Sequence, residues 1–194
     1  MESTGEETVR ASVCPRRNSD QRPYKVVMSV AGDSRGFAIV PSEPRAAAAE
    51  LVERLELERP PGYVVGFAPG GIALAVAVAG ELDVPAVIAY KTRLGLPNES
   101  SWTEPHCYSN TFYFYGARAG DAVLMIDDEV DSGNTIGSAV ELLQAHGVQV
   151  LDVGAAVEVV HGGASKGQTR LADVGLTLKA LRRIEVDERA RTQF

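Results

Sequence analysis

A short run of acidic, hydroxylated and glycine residues near the middle of the chain has the residue types of a ligand site. The adjacent carboxylates Asp127 and Asp128 follow an apolar run, 123–126, that predicts a buried parallel strand. From Ile136 onward, apolar residues recur at helical spacing. Between the predicted strand and helix lies a small polar loop, which consists of Asp131, Ser132, Gly133, Asn134 and Thr135.

This loop suits an anion that lies beside a diol. Backbone N–H groups of the loop and of the helix N-terminus favour negative charge, and the hydroxyls of Ser132 and Thr135 add donors. The carboxylates of Asp127 and Asp128 do not suit a phosphate, but they suit sugar hydroxyls or a Mg²⁺ ion, held directly or through water. The sequence therefore predicts that a ribose 5-phosphate binds here.

A second glycine-containing loop precedes another predicted helix. Ala68, Pro69, Gly70 and Gly71 follow an apolar strand and open the helix 72–82. The glycines let the backbone approach a ligand closely, so the loop is a second candidate anion site. The alternative is a helix-start turn with flexible glycines.

Strands and helices alternate along most of the chain. This order predicts an α/β fold with a mostly parallel sheet, flanked by helices, and a ligand at the carboxyl ends of the strands. The predicted strands are 24–30, 37–40, 63–67, 86–89, 111–115, 123–126, one within 148–160, and 176–186; the predicted helices are 45–57, 72–82, 136–146 and 167–174.

Length and composition indicate one globular domain. The 194 residues include 19 basic and 26 acidic side chains, a net charge of −7 that argues against nonspecific binding to nucleic acid. No apolar stretch is long enough to cross a membrane, and the start has no signal-peptide pattern, so we expect a cytoplasmic protein. The two cysteines are expected to be free thiols, and no metal-ligand spacing is evident. Residues 1–23 are predicted to form a disordered arm that precedes the domain 24–194.

The run from Val123 to Thr135 resembles the signature of type I phosphoribosyltransferases, which bind 5-phosphoribosyl 1-diphosphate (PRPP). That signature is four apolar residues, two acids, two mostly apolar positions, Asp or Ala, Thr or Ser, Gly, Gly and Thr. The departures are Glu129 at a usually apolar position and Asn134 at the second glycine. Because asparagine tolerates left-handed backbone geometry, we expect the loop to form. The loop 68–71 is most similar to that of the purine branch.

The resemblance implies a fold and a reaction. The fold has a small hood over the base, expected here from about 24–40 and 158–186, and a flexible hairpin over 97–110 that closes on PRPP. The reaction joins a base to PRPP, with Mg²⁺, to give a nucleoside 5′-monophosphate and pyrophosphate. Family members are usually dimers, so the resemblance implies a homodimer.

The resemblance also implies roles for the residues. Asp127 and Asp128 hold the ribose hydroxyls, directly or through water and metal, and 131–135 bind the 5-phosphate. The loop 68–71, with Lys91 and Arg93, receives pyrophosphate. Asp131 lies where related enzymes place an acid near the base, and we predict that it takes a proton from the incoming base; a structural role in the loop is the alternative.

The acceptor base is the least defined part of the prediction. Phe37, Glu158 and Val159 match regions that contact the base in the family, with valine where related enzymes have lysine. His161 follows them and can hydrogen-bond a base, although a lone exposed histidine is more often incidental. Since these residues fit no common purine enzyme, we expect a purine-like base, with a modified or deazapurine as the specific hypothesis. The alternatives are a PRPP-sensing regulator of the same fold and a relative of PRPP synthetases, although the latter fold is longer.

Overall fold

The computed structural model describes residues 10–15, 24–29, 42–103 and 111–186. Nine strands and four helices occur in this part of the chain. In chain order they are β1 (Arg10–Pro15), β2 (Tyr24–Ser29), α1 (Ser42–Arg54), β3 (Tyr63–Phe67), α2 (Ile72–Glu81), β4 (Ala86–Ala89), β5 (Glu99–Thr103), β6 (Thr111–Tyr115), β7 (Ala122–Val130), α3 (Asn134–Ala145), β8 (Gln149–Val160), α4 (Lys166–Ala172) and β9 (Leu178–Glu185).

Five parallel strands form the central sheet, in the order β4-β3-β7-β8-β9. The chain extends the sheet from β3 outward to β4, and from β7 outward to β8 and β9. The strand order therefore reverses between β3 and β7, and in open parallel sheets such a switch point creates a crevice beyond the carboxyl ends of the strands. The predicted α/β architecture is confirmed, and the switch point directs a ligand to the ends of β3 and β7.

Helices cover both faces of this sheet. A core cluster on one face contains side chains of α1 and α2, including Leu51 and Val78, and a second cluster contains side chains of α3 and α4, including Ile136 and Leu171. Because both faces are covered, the strands consist of apolar runs rather than alternating patterns. Within the described residues, no helix has both the length and the apolar character needed to cross a bilayer.

Two small antiparallel pairs lie outside the central sheet. One joins β5 to β6. A hairpin was predicted over 97–110; the observed one begins in that range, but its second strand, Thr111–Tyr115, lies beyond it. The other joins β1 to β2, so the expected disordered arm is corrected over Arg10–Pro15, where the chain forms a strand. The predicted strand 37–40 and most of the hood segment 24–40 lie outside the described residues.

The remaining hood segment differs from the prediction. Residues 158–160 are the last three of β8, and β9 pairs in parallel with β8 in the central sheet. The segment 158–186 therefore supplies the sheet edge and α4 instead of a separate hood. This difference arises because β8 pairs with β7 along one edge and with β9 along the other, so β9 belongs to the central sheet.

Candidate functional site

The two acidic residues predicted to hold ribose lie at the switch point of the sheet. Asp127 and Asp128 belong to β7, which continues to Val130 instead of ending at Ile126 as predicted. The pairing of β7 with β3 ends at Ile126, whereas its pairing with β8 continues through Val130. The acids therefore lie on a strand segment that extends past β3 into the crevice.

Asp127 is a buried carboxyl group in this segment. It is 9% exposed, and its Oδ1 accepts a hydrogen bond of 2.9 Å from the backbone N–H of Asp128. Burial, followed by the charge of the neighbouring Asp128, raises the pKa of Asp127 well above its ordinary value. A group whose ionised form is disfavoured in this way is typical of functional sites, because a ligand supplies the compensating interactions.

The glycine loop after β3 packs directly against these acids. Its first amide, that of Ala68, donates to Ala89 O at 2.9 Å, and the Ala68–Pro69 peptide is cis. A Cβ at Gly70 would lie 2.1–2.5 Å from the carboxylate atoms of Asp128, and one at Gly71 would lie 2.8 Å from Asp127 Oδ1. The loop predicted to bind pyrophosphate and the acids predicted to bind ribose thus form one continuous surface.

We predict that Gly70→Ala lowers kcat/KM for PRPP by about 10- to 100-fold, because the added methyl group must displace the Asp128 carboxylate. Steady-state kinetics with PRPP measure this loss. Gly80→Ala is the matched control, since a Cβ at Gly80 meets nothing within 4 Å. It should leave turnover unchanged and stabilise α2 by about 0.5–1 kcal/mol. Equal kinetics for both variants would contradict the prediction.

The polar loop 131–133 leads from β7 into α3. Gly133 is the N-cap residue, with a left-handed φ of 73°, and a Cβ there would lie 3.0 Å from Gly167 Cα in α4. Asn134 is the first residue of α3, and Gly133 is the left-handed residue before it. The loop forms as expected, but the left-handed backbone considered for Asn134 is found at Gly133, because Asn134 is already helical.

The donors predicted to bind the 5-phosphate lie together at this turn. The amide of Asn134 donates to Ser132 Oγ at 3.4 Å, a long hydrogen bond. Thr135 lies in the first turn of α3. The amides of this turn come before Gly137 in the chain, and the Gly137 N–H donates the first intrahelical hydrogen bond, to Gly133 O at 2.8 Å. The arrangement supplies backbone donors and two hydroxyls at one helix N-terminus, which is a suitable environment for a phosphate group.

Gly133→Ala is expected to lower the free energy of unfolding by about 1–3 kcal/mol and to weaken PRPP binding. The substitution combines an unfavourable positive φ with a contact to the backbone of α4. Denaturant unfolding and titration calorimetry measure the two effects.

Two control variants separate the causes of the Gly133→Ala effect. Gly120→Ala has a φ of +90° and no atom within 4 Å of the new Cβ, so it tests strain alone. Gly137→Ala places its Cβ 2.8 Å from the guanidinium of Arg170, a flexible side chain that can shift. Both controls should retain PRPP affinity. A Gly133→Ala protein with normal PRPP affinity would contradict the assigned phosphate site.

Asp131 pairs with a histidine that the sequence analysis treated as incidental. Its Oδ1 lies 2.8 Å from His161 Nε2, and the side chains are 12% and 6% exposed, respectively. His161 directly follows β8, the neighbour of β7 in the sheet. The expectation of an exposed, incidental histidine is corrected; the signal available in the sequence was its position at the end of the strand next to β7.

The two cations predicted to receive pyrophosphate have different environments. Lys91 is exposed, and its Nζ lies 5.0 Å from the centroid of the Phe112 ring. Phe112 stacks on Trp102, and both rings contact the Phe67 ring edge-on, so this cluster anchors the hairpin at the end of β3. Lys91 follows β4 at the same edge of the sheet as the loop 68–71, which places its charge on the expected side.

Arg93 takes part in a contact within the hairpin region. Its Nε donates to both carboxylate oxygens of Glu99, at 2.9 and 3.0 Å. Glu99 also accepts a hydrogen bond of 3.1 Å from the Tyr115 hydroxyl. The guanidinium of Arg93 therefore holds the start of β5, and its role toward pyrophosphate stays a prediction.

Of the residues expected to contact the base, Phe37 lies outside the described residues. Val159 is fully buried and belongs to the core cluster beside α1 and α2, which corrects the predicted base contact of its side chain. Glu158 is 3% exposed, and its Oε2 accepts from Arg183 Nε at 2.9 Å. Its buried Oε1 has no hydrogen-bond partner among the described residues. Of the predicted base-contacting residues that the structure describes, Glu158 is therefore the one whose polar side chain suits a base.

The acid pair fits a magnesium ion that is held mainly by other ligands. The described residues contain no group of three or more His, Cys, Asp or Glu side chains that could hold a metal ion by themselves. Asp127 and Asp128 offer the oxygen atoms that Mg²⁺ prefers, and the ion commonly binds through one or two carboxylates, water and substrate phosphates. A cation would also offset the repulsion between these neighbouring carboxylates.

Comparisons with known proteins agree with this geometry. The sequence model of a family described as phosphoribosyl transferase matches residues 12–180. HGPRTase-like protein 3 of Haloterrigena turkmenica is 32% identical over 152 residues, which cover 75% of this chain and 80% of that protein. The hypoxanthine/guanine phosphoribosyltransferase of Methanothrix thermoacetophila is 34% identical over 120 residues, which cover 61% of this chain and 60% of that protein.

The matched regions of the first curated relatives span 60–63% of their lengths. Among solved structures, an adenine phosphoribosyltransferase from Thermoanaerobacter pseudethanolicus superposes with a TM-score of 0.69 at 18% identity, covering 91% of this chain and 96% of that one. This similarity shows the fold. Taken together, the family match, the relatives and the shared fold show that the chain belongs to the type I phosphoribosyltransferase family, in its purine branch.

Proposed function

We propose that this protein transfers ribose 5-phosphate from PRPP to a purine-like base and releases pyrophosphate. The observation that carries the proposal is the packing of Gly70 and Gly71 against the carboxylates of Asp128 and Asp127. This contact supports a proposal in which the loop 68–71 receives pyrophosphate and the two adjacent acids hold the ribose hydroxyls. The loop 131–135, which follows the same strand, would bind the 5-phosphate. One PRPP molecule carries all three of these groups.

In the proposed reaction, the bond between the anomeric carbon and pyrophosphate breaks, and its electron pair leaves with pyrophosphate. A nitrogen of the base bonds to the anomeric carbon, and the proton of that base passes to Asp131. Asp127 and Asp128 orient the ribose ring and favour the positive charge that develops on it. Lys91 and the N–H of Gly70 stabilise the charge on the leaving group. Within the loop, Pro69 has no N–H, and the N–H groups of Ala68 and Gly71 donate to Ala89 O and Phe67 O. Mg²⁺, when bound, would neutralise part of the pyrophosphate charge.

The finer proposal concerns the acceptor, a modified or deazapurine. Val159 replaces the family lysine and is buried, so it offers no cation to a base carbonyl. The buried Oε1 of Glu158 instead suits an N–H donor of the base, because a buried carboxylate oxygen without a partner is unfavourable. We also propose a homodimer, which is the usual oligomeric state of the family, and a cytoplasmic location.

A turnover screen tests this proposal. Pyrophosphate release is measured with PRPP, Mg²⁺ and a panel that contains hypoxanthine, guanine, xanthine, adenine and deazapurines. We expect release that depends on one or a few of these bases. Absence of base-dependent release across the panel would contradict the enzyme proposal and favour a PRPP-sensing regulator, a function for which the comparisons give no support.

A further inference from the structure

The side chains of Asp131 and His161 form a mostly buried pair at the carboxyl edge of the sheet. Asp131 follows the last residue of β7 and His161 follows the last residue of β8. The register of these strands places Val130 opposite Glu158, so the carboxyl ends of β7 and β8 lie side by side. The 2.8 Å distance between Nε2 and Oδ1 is that of a hydrogen bond.

The backbone around His161 is held in a tight turn. The His161 N–H donates to Ala164 O at 2.9 Å, and the Ala164 N–H donates back to His161 O at 3.1 Å. Gly162 and Gly163, with φ of 58° and 79°, allow this reversal. The turn fixes the Cα position of the histidine, and the 6% exposure of its side chain restricts the ring.

The backbone of Asp131 packs against α4. Its carbonyl oxygen lies 3.2 Å from the position of a Cβ at Gly167, so that glycine permits close packing of the helix under the loop. With the backbone fixed, the two side-chain torsions of Asp131, χ1 and χ2, set the position of its carboxylate. A hydrogen bond from Nε2–H to Oδ1 restricts both torsions and therefore the direction of the second oxygen.

We infer that His161 is a positioning residue, which donates from Nε2 to Asp131 Oδ1 and orients the carboxylate to accept the proton of the incoming base. The inference rests on the proposed function, in which Asp131 is the proton acceptor. The ring acts through Asp131 and does not touch the substrate. It follows that the contribution of His161 to the rate requires the carboxylate of Asp131.

A double-mutant cycle tests this dependence. His161→Leu removes the donor, and His161→Gln retains an N–H near the position of Nε2. Each variant is made in the unaltered protein and in Asp131→Asn, and kcat with the best base of the panel and the Kd of PRPP are measured. His146→Leu is the matched control, because His146 is exposed at the end of α3 and its ring bonds the Leu142 carbonyl of its own helix.

We expect His161→Leu to lower kcat by about 10- to 100-fold while the Kd of PRPP changes by less than about 2-fold. His161→Gln should recover most of this loss, and His146→Leu should behave as the unaltered protein. In the Asp131→Asn background, His161→Leu should cause no further loss. An undiminished kcat in His161→Leu, an equal further loss in Asp131→Asn, or a parallel loss of PRPP affinity would overturn the inference.

A measurement without turnover keeps the inference testable if a variant folds poorly. The chain has three histidines, so ¹⁵N-histidine NMR resolves each ring, and His161→Gln assigns the signal of His161. We expect a protonated Nε2 whose signal shifts in Asp131→Asn. A His161 ring with its proton on Nδ1 alone would overturn the inference.

The screen and the cycle separate two failures. If the unaltered protein uses no base, the proposed function is overturned, and the positioning role of His161 with it. If the unaltered protein is active and His161→Leu is equally active, the inference alone is overturned.

Discussion

Asp131→Asn is expected to slow transfer to the base by about 10²–10⁴-fold, which is the usual contribution of a general base. The asparagine Oδ1 can still accept the hydrogen bond from His161 Nε2, so the loop geometry should persist. An amide cannot take up the proton that the base loses, so the chemical step suffers. PRPP binding should change little, because the amides of the phosphate loop remain.

Single-turnover kinetics and titration calorimetry separate these two effects. Glu141→Gln is the matched control, since it neutralises a carboxylate on the helix that follows the same loop, where Glu141 pairs with Arg170 at 2.7 Å. Its transfer rate should stay within about 2-fold of the unaltered rate. Unaltered turnover in Asp131→Asn with intact PRPP binding would remove the proton-accepting role and leave Asp131 a structural residue.

Asp127→Asn is expected to lower turnover by about 10²–10³-fold and to increase stability. Burial and the charge of Asp128 raise the pKa of Asp127 in the folded protein. Above the ordinary carboxyl pKa the unfolded chain ionises this group freely, whereas the folded protein resists its ionisation. Stability is therefore lost as the pH rises from the unfolded pKa toward the raised folded value. Asparagine is not subject to this loss and can still accept the Asp128 N–H.

Unfolding followed as a function of pH, without metal or PRPP, measures this effect. Near pH 3 and below, the two proteins should have similar free energies of unfolding, since the aspartate is then largely protonated in both states. At about pH 7 the variant should be more stable by roughly 0.5–2 kcal/mol, which corresponds to about 2–4 °C in Tm per kcal/mol. A variant that is less stable at pH 7, or as active as the unaltered protein, would contradict this account of Asp127.

The elements that the sequence predicted best are short apolar runs between turn residues. The strands β3, β4 and β6 have the predicted bounds, 63–67, 86–89 and 111–115. The end of β7 was predicted four residues early, because acidic residues argue against a strand. The structure extends it to Val130 because β8 continues to supply hydrogen-bonding partners beyond the end of β3.

Contacts between distant residues account for what the sequence did not predict. The pairing of His161 with Asp131 joins residues 30 positions apart and depends on the register of two parallel strands. The packing of Gly70 against Asp128 depends on how far β7 extends past β3. The direction of Val159 was hidden because β8 is buried on both faces, so its nearly continuous apolar sequence does not reveal which face each residue takes.

The central claim is that the loops 68–71 and 131–135 bind a single PRPP molecule beside Asp127 and Asp128. Backbone amide NMR of the ¹⁵N-labelled protein, titrated with PRPP and Mg²⁺, tests it most directly. We predict saturable binding at one site, with the largest amide shifts in these two loops and at the first turn of α3. An absence of binding, or shifts confined to residues away from the ends of β3 and β7, would contradict the claim.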